Sequence, residues 1–140
     1  MSQFKQKVAS LRSLHSRFSE KVIEIVKIIP EGKVVSYGQI AVMAGLPRMA
    51  RHVGNILNKY DGEAEIPWWR VVNNSGRLTI KGSVFTSDDQ KDRLEDEGLE
   101  ITNDYTFDIN KYRFIPKIEL LRKLKLDDEY IELLMIKFGV

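Results

Sequence analysis

The sequence predicts a mainly α-helical, winged-helix-like domain that contains a helix-turn-helix, a small β hairpin and a helical C-terminal extension. Three observations support this fold class. Apolar residues recur at helical spacing in several segments, two short helical segments are joined by a Gly-Leu turn, and one Ser-Gly turn separates two short extended runs. The 140 residues, 43% of them hydrophobic, suffice for one core and not for two ordinary domains.

The first predicted helix begins near Ser16 and ends at Pro30. Its apolar residues lie three or four positions apart and define one buried face, made of Phe18, Val22, Ile25, Val26 and Ile29. Residues 1–15 precede this helix, and we expect them to form an N-terminal tail or a helix.

A helix-turn-helix is predicted next. Ser36 and Gln39 have the spacing of a capping box, so a helix should start there and continue to about Ala44. Gly45 is a favourable residue just beyond a helix end. Pro47 fits the first position of the second helix, "PRMARHVGNILNKY".

The second of these helices has two different faces. Plotted at about 100° per residue, one face is apolar and consists of Met49, Val53, Ile56 and Leu57, whereas the other is rich in hydrogen-bond donors and consists of Arg48, Arg51, Asn55 and Asn58. Ala50 and Gly54 flank the donor-rich face, and their small size would allow a ligand to approach the backbone closely. The alternative is that this face only contacts solvent.

The rest of the chain is predicted to be a hairpin followed by helices. The run 68–80 reads as two extended stretches about a turn. An acidic helix should begin at Ser87, in a Ser-x-x-Gln box, and stop at Gly98. Residues 99–116 alternate enough for a strand or two, and residues 117–140 fit one or two amphipathic helices.

Charge is unevenly distributed along the chain. Residues 32–81 carry seven basic and three acidic side chains, whereas residues 87–108 carry nine acidic and two basic ones. A basic middle next to an acidic segment suggests that one face meets a polyanion. The alternative is that both segments are solvated surface.

Several functions are excluded by composition. The chain has no cysteine, so it can have no disulfide, thiolate metal site or cysteine nucleophile. His15 and His52 have no companions at metal-ligand spacing, and neither a Gly-rich phosphate loop nor a Gly-x-Ser-x-Gly motif occurs. We therefore expect no metal and no cofactor. The lack of a long apolar run predicts a soluble protein that does not enter a membrane.

Three motifs, in order, resemble the DNA-binding domain of the O6-alkylguanine-DNA alkyltransferases: "GKVVSYGQIA", "GLPRMARHVGNIL" and "IPWWRVVNNSGRL". In that family a Pro-Cys-His-Arg-Val segment carries the cysteine that accepts the alkyl group. The matching positions here are Pro67-Trp68-Trp69-Arg70-Val71, so tryptophan replaces the nucleophile. This substitution is typical of the alkyltransferase-like proteins. The resemblance predicts an alkyltransferase-like DNA-binding domain at 16–112 and a C-terminal helical extension at 113–140.

The resemblance assigns roles in base flipping. Arg51 matches the arginine that enters the duplex from the minor groove and fills the gap left by the flipped nucleotide, and Tyr37 matches the tyrosine that presses on the adjacent phosphate. A long planar cation suits an unstacked gap, and small residues suit a helix in the narrow minor groove. The candidate DNA-binding residues are therefore Ser36, Tyr37, Arg48, Ala50, Arg51, Gly54 and Asn55.

The tryptophan segment is predicted to form the lesion pocket, made of Pro67, Trp68, Trp69, Arg70 and Val71, with Lys81 from the loop that follows. Trp68 would close the pocket with an aromatic wall. Trp69 replaces the histidine that would activate a cysteine, and it is expected to pack in the core. Arg70 is expected to brace the pocket by hydrogen bonding. Lys81 stands where relatives can place an arginine over the lesion, although lysine stacks less well.

The resemblance implies non-enzymatic recognition of O6-alkylguanine in double-stranded DNA by an intracellular monomer, cytoplasmic or nuclear, that marks the lesion for nucleotide excision repair proteins. An active alkyltransferase is excluded because the chain has no cysteine. The alternative is a helix-turn-helix transcription regulator that reads undamaged DNA. For residues 117–140 two interpretations stay open, packing on the domain itself or docking of a repair partner.

Overall fold

The computed structural model describes residues 2–59, 65–79, 85–124 and 126–138. Within these ranges the chain is mostly helical, with one short sheet, which confirms the predicted class. The elements are α1 (Ser2–Lys27), β1 (Val35–Ser36), α2 (Tyr37–Met43), α3 (Ala50–Asn58), a 3-10 turn (Trp68–Arg70), β2 (Val71–Val72), α4 (Ser87–Asp96), α5 (Ile109–Tyr112), α6 (Ile118–Lys123) and α7 (Asp128–Phe138). None of the helices in these ranges has the length and apolar content that crossing a membrane requires.

Helix α1 starts earlier than the predicted core helix. It runs without a break from Ser2 to Lys27, so the expected boundary after residue 15 falls inside a helix. The predicted apolar face is buried and consists of Phe18, Val22, Ile25, Val26 and Ile29. These residues pack against α2 and α3 in the main core.

The helix-turn-helix is present, with one correction. The capping box of Ser36 and Gln39 is formed at the start of α2, and Gly45 has a φ of +83°, as expected of a residue beyond a helix end. However, α3 begins at Ala50 and not at Pro47. Pro47 instead occupies the second position of a turn that the Met49 amide closes on the Leu46 carbonyl at 3.0 Å. Proline favours that turn position as strongly as the first position of a helix.

The predicted hairpin at 68–80 is wrong in the part of it that is described. Strand β2 pairs in parallel with β1, in the register Val35 to Val71. After the turn at Gly76, the chain forms an antiparallel bridge from Arg77 to Thr106 instead of returning along β2. Both residues of β2 are buried inside the domain, where β1 is the strand that pairs with them.

The region 99–116 forms no regular strand. It contributes two isolated bridges, from Arg77 to Thr106 and from Val34 to Arg113, and the short helix α5 lies between Thr106 and Arg113. With α4 it covers a second, smaller core, which consists of Val34, Val72, Leu78, Leu94, Leu99 and Ile109.

The C-terminal segment packs on its own domain. Helices α6 and α7 bury Leu121, Leu124, Ile131 and Leu134 in the same core as α1, α2 and α3. The Tyr130 hydroxyl donates to the Val42 carbonyl at 2.5 Å, which fixes α7 against α2. The amphipathic pattern thus predicted two helices correctly, and this chain itself covers part of their apolar surface, whereas Leu133 and Ile136 of α7 are exposed.

Candidate nucleic-acid interface

Helix α3 presents the predicted donor-rich face to solvent. Arg51, Asn55 and Asn58 are exposed, whereas Val53 and Leu57 on the opposite side are buried. Arg48 is also exposed, but it lies in the turn before α3. Within the described ranges, no carboxylate forms an ion pair with Arg51. The exposed face is therefore available to an anionic ligand.

Tyr37 lies beside this face, at the first residue of α2. A methyl group placed on Gly54 would meet the Tyr37 ring at 3.9 Å, so the small residue of α3 faces the tyrosine. Ala50 is half-buried and packs against the main core. Burial raises the pKa of the Tyr37 phenol, so its hydroxyl stays protonated as a donor.

Ser36 positions Tyr37 and does not reach outward. Its side chain is 4% exposed, and its Oγ accepts a hydrogen bond from the Gln39 amide at 3.1 Å. The Gln39 side chain accepts in return from the Ser36 amide at 3.1 Å. This reciprocal cap fixes the start of α2, and with it the direction of Tyr37.

Trp68 is buried at the start of the 3-10 turn, after half-buried Pro67. Its indole is 5% exposed and stacks on the Phe85 ring, with centroids 4.3 Å apart and planes at 25°. The Trp69 ring meets it edge-on at 6.0 Å. The indole of Trp68 therefore fills the interior at this point, and aromatic rings pack against it.

Glu97 connects the two residues that follow Trp68. Its carboxylate accepts from Trp69 Nε1 at 2.9 Å and from Arg70 Nε at 2.5 Å. Arg70 also donates from Nη1 to the Ile29 carbonyl at 2.7 Å. Arg70 thus holds the segment against Glu97 and the Ile29 carbonyl by hydrogen bonding. Trp69 is only half-buried and packs between both cores.

Two residues of α4 support the segment, and sequence analysis missed both. Gln90 is buried and donates to the carbonyls of Trp69 and Val71 at 3.1 and 2.9 Å. It is therefore not the capping residue that was predicted. The cap of α4 is formed one residue earlier, by Thr86 and Asp89. The backbone and hydroxyl hydrogen bonds from Thr86 lower the pKa of Asp89.

Arg93 is the second of these α4 residues. Its guanidinium lies over the rings of Trp69, Trp68 and Phe85, at 4.8, 5.6 and 5.9 Å from their centroids. A cation over aromatic faces is attracted by their negative quadrupoles. Within an acidic run this arginine looked like ordinary solvated charge, and only the fold brings it to the tryptophans.

The sheet links the tryptophan segment to the helix-turn-helix. Val71 pairs with Val35, and the next pair is Ser36 with Val72. Tyr37 therefore follows directly on a strand that is bonded to the end of the tryptophan segment. Lys81 lies outside the described residues. Within them, no group of three His, Cys, Asp or Glu side chains could hold a metal ion.

Comparison with known proteins gives a consistent result. Residues 17–99 match the family described as 6-O-methylguanine DNA methyltransferase, DNA binding domain. A DNA base-flipping protein of Vibrio parahaemolyticus is 39% identical, over 71% of this chain and 98% of its own length. The Alkyltransferase-like protein 1 of Schizosaccharomyces pombe is 38% identical, over 71% of this chain and 95% of its own length.

The fold is also that of a solved protein. The solved structure is that of S. pombe Atl1 in complex with damaged DNA containing O6-carboxymethylguanine. It matches the present structure with a TM-score of 0.67 and 37% sequence identity, and the match covers 72% of this chain and 97% of the Atl1 chain. The similarity extends through the helix-turn-helix, the tryptophan segment and α4, since the family match ends only at residue 99. The chain therefore belongs to the family of the 6-O-methylguanine DNA methyltransferase DNA-binding domain.

Proposed function

We propose that this protein binds O6-alkylguanine in duplex DNA, flips the base and performs no chemistry on it. The observation that carries the proposal is the buried Trp68, which occupies the position that the resemblance assigns to the alkyl-accepting cysteine. The chain contains no cysteine, so no thiol elsewhere could take over the reaction. Binding without transfer is the function that these facts favour.

Helix α3 would provide the contact with the minor groove. Arg51 is exposed and has no carboxylate partner in the described ranges, so its planar cation is free to fill the gap left by an extruded base. The protonated hydroxyl of Tyr37, on the adjacent helix, can donate to a backbone phosphate. Arg48 and Asn55 are also exposed and would contact the sugar-phosphate backbone.

The tryptophan segment would form the floor of the lesion pocket. Trp68 is held by the Phe85 ring on one face, and its neighbours are fixed through Glu97 and Gln90. Rigid aromatic surface suits a flipped purine, because stacking on a fixed ring loses little entropy. Lys81 would approach the lesion from the adjoining loop.

The biological role that we propose is to mark the lesion for nucleotide excision repair in the cytoplasm or nucleus. A protein that binds the alkylated base but leaves it unrepaired is useful only if another activity removes the lesion. The exposed fraction of α7, which includes Leu133, provides surface outside the DNA-binding elements.

Duplex DNA that carries a labelled O6-methyl group tests the proposal directly. The protein should shift the labelled duplex in a gel and remain unlabelled after denaturation, because no nucleophile is available. Stoichiometric transfer of the label to the protein would show that it is an enzyme. Equal affinity for the matched undamaged duplex would instead favour the transcription-regulator alternative.

A further inference from the structure

A basic cleft of about 440 Å³ lies beside the start of α2, next to the face that carries Tyr37. It is bounded by the start of α2, the turn after β2, the segment after α5 and the end of α7. Its lining residues are Ser36, Gly38, Gln39, Val42, Pro47, Asn74, Arg113, Ile115 and Lys137. Sequence analysis assigned no function to Asn74, Arg113 or Lys137.

The described residues that line the cleft carry positive charge and no negative charge. Arg113 and Lys137 are both cationic, and none of these described residues is an aspartate or a glutamate. Arg113 donates from Nη1 to Gln39 Oε1 at 2.6 Å and from Nη2 to Asn74 Oδ1 at 2.8 Å. Both partners are neutral amides, so they orient the guanidinium without neutralising it.

This arrangement is that of a preorganised site for an oxyanion. Arg113 has five N–H donors, of which these two bonds use two, and the planar group can present the others to an anion. Gln39 is itself held, because its Nε2 donates to the Phe114 carbonyl at 3.0 Å. Lys137 is exposed at the end of α7 and adds a mobile point charge at the rim.

We propose that this cleft binds a backbone phosphate of the duplex, beyond the nucleotide that the protein flips. The inference rests on the proposed DNA binding, and it adds a contact made by the C-terminal extension. The cleft lies close to the candidate interface, because its lining residues Ser36 and Gly38 directly flank Tyr37 in the chain. Lys137 lies beyond residue 99, where the family match ends, so this contact falls outside the matched domain.

The test measures how DNA affinity depends on salt for Lys137→Ala. Loss of one phosphate contact should lower the slope of log K against log salt by about 0.9. The affinity advantage of the wild type should then shrink by about 3.5-fold between roughly 50 and 200 mM salt. The loss should be the same on lesion-containing and undamaged duplexes, because a phosphate carries no information about the base.

A matched control is Lys27→Ala, which removes an exposed lysine from a groove of α1 that Glu20 and Glu24 also line. It should leave the slope unchanged. Arg113→Lys tests the guanidinium, and we expect weaker binding of both duplexes with an unchanged preference for the lesion.

The outcomes separate the two proposals. An unchanged slope for Lys137→Ala, in a protein that still prefers O6-methylguanine, would overturn the phosphate site and leave the proposed function intact. A reduced slope in a protein without lesion preference would support the phosphate site and overturn lesion recognition. A loss confined to lesion DNA would place Lys137 at the base and would also overturn the phosphate assignment.

Discussion

Replacing Glu97 with alanine should destabilise the protein by about 3 kcal/mol, because this carboxylate is the shared acceptor of two donors. The Glu97 side chain is 6% exposed and that of Arg70 is 16% exposed, so the pair is largely removed from water. Removal of one partner from a buried pair costs about 3–5 kcal/mol, and an unpaired buried N–H, here that of Trp69, costs about 1–3 kcal/mol. Arg70 keeps its bond to the Ile29 carbonyl, which favours the lower end.

The assay is urea unfolding followed by tryptophan fluorescence, which reports on the affected region because both tryptophans lie in it. For a chain of this size the change corresponds to a melting temperature lower by about 6–12 °C. Glu95→Ala, on the exposed side of α4, is the control and should change stability by less than about 0.5 kcal/mol. A Glu97→Ala variant within about 1 kcal/mol of wild type would contradict the reasoning, because that is the value of an exposed pair.

Three further predictions concern the DNA-binding face, the main core and the Tyr37 phenol. Arg51→Ala and Tyr37→Ala should each weaken binding to lesion DNA more than to undamaged DNA, by about 1–3 kcal/mol in a binding titration. Equal losses on the two duplexes would show that Arg51 and Tyr37 contact only the DNA backbone. Leu121→Ala should lower the free energy of unfolding by about 2–5 kcal/mol, whereas exposed Leu133→Ala should have almost no effect in the same urea titration. Burial raises the Tyr37 pKa above its ordinary value of 10.0, so the stability that the protonated phenol contributes is complete below pH 10.0 and is lost as the pH rises through the folded-state pKa. Tyr37→Phe should therefore reduce the loss of unfolding free energy at alkaline pH, measured by urea titrations at several pH values. An equally steep loss in the variant would exclude Tyr37 as its source.

Local signals in the sequence predicted local structure correctly. The capping box at Ser36 and the helix stop at Gly45 depend on residues within one turn, and both are formed as expected. Pro47 misled the prediction of α3, because the same residue suits a turn and a helix start equally well. In the structure, the hydrogen bond from the Met49 amide to the Leu46 carbonyl places Pro47 in a turn, and the helix propensities of these residues do not predict that bond.

Long-range pairing could not be predicted from the sequence. Strand β2 pairs with β1, which lies more than 30 residues earlier in the chain. In a hairpin, β2 would have paired with the residues just after the turn. The support of the tryptophan segment is equally distant in sequence, since Glu97 lies 27 residues from Arg70. A carboxylate in an acidic helix looks the same whether it is solvated or paired, and only the fold distinguishes the two.

The central claim is that the protein distinguishes alkylated guanine from guanine in duplex DNA. Its most direct test is a binding titration with two duplexes that are identical except for one O6-methylguanine, at the same salt concentration. We predict that the lesion duplex binds at least about tenfold more tightly, which corresponds to about 1.4 kcal/mol. Equal dissociation constants for the two duplexes would contradict the account, because flipping and pocket binding would then contribute nothing to recognition.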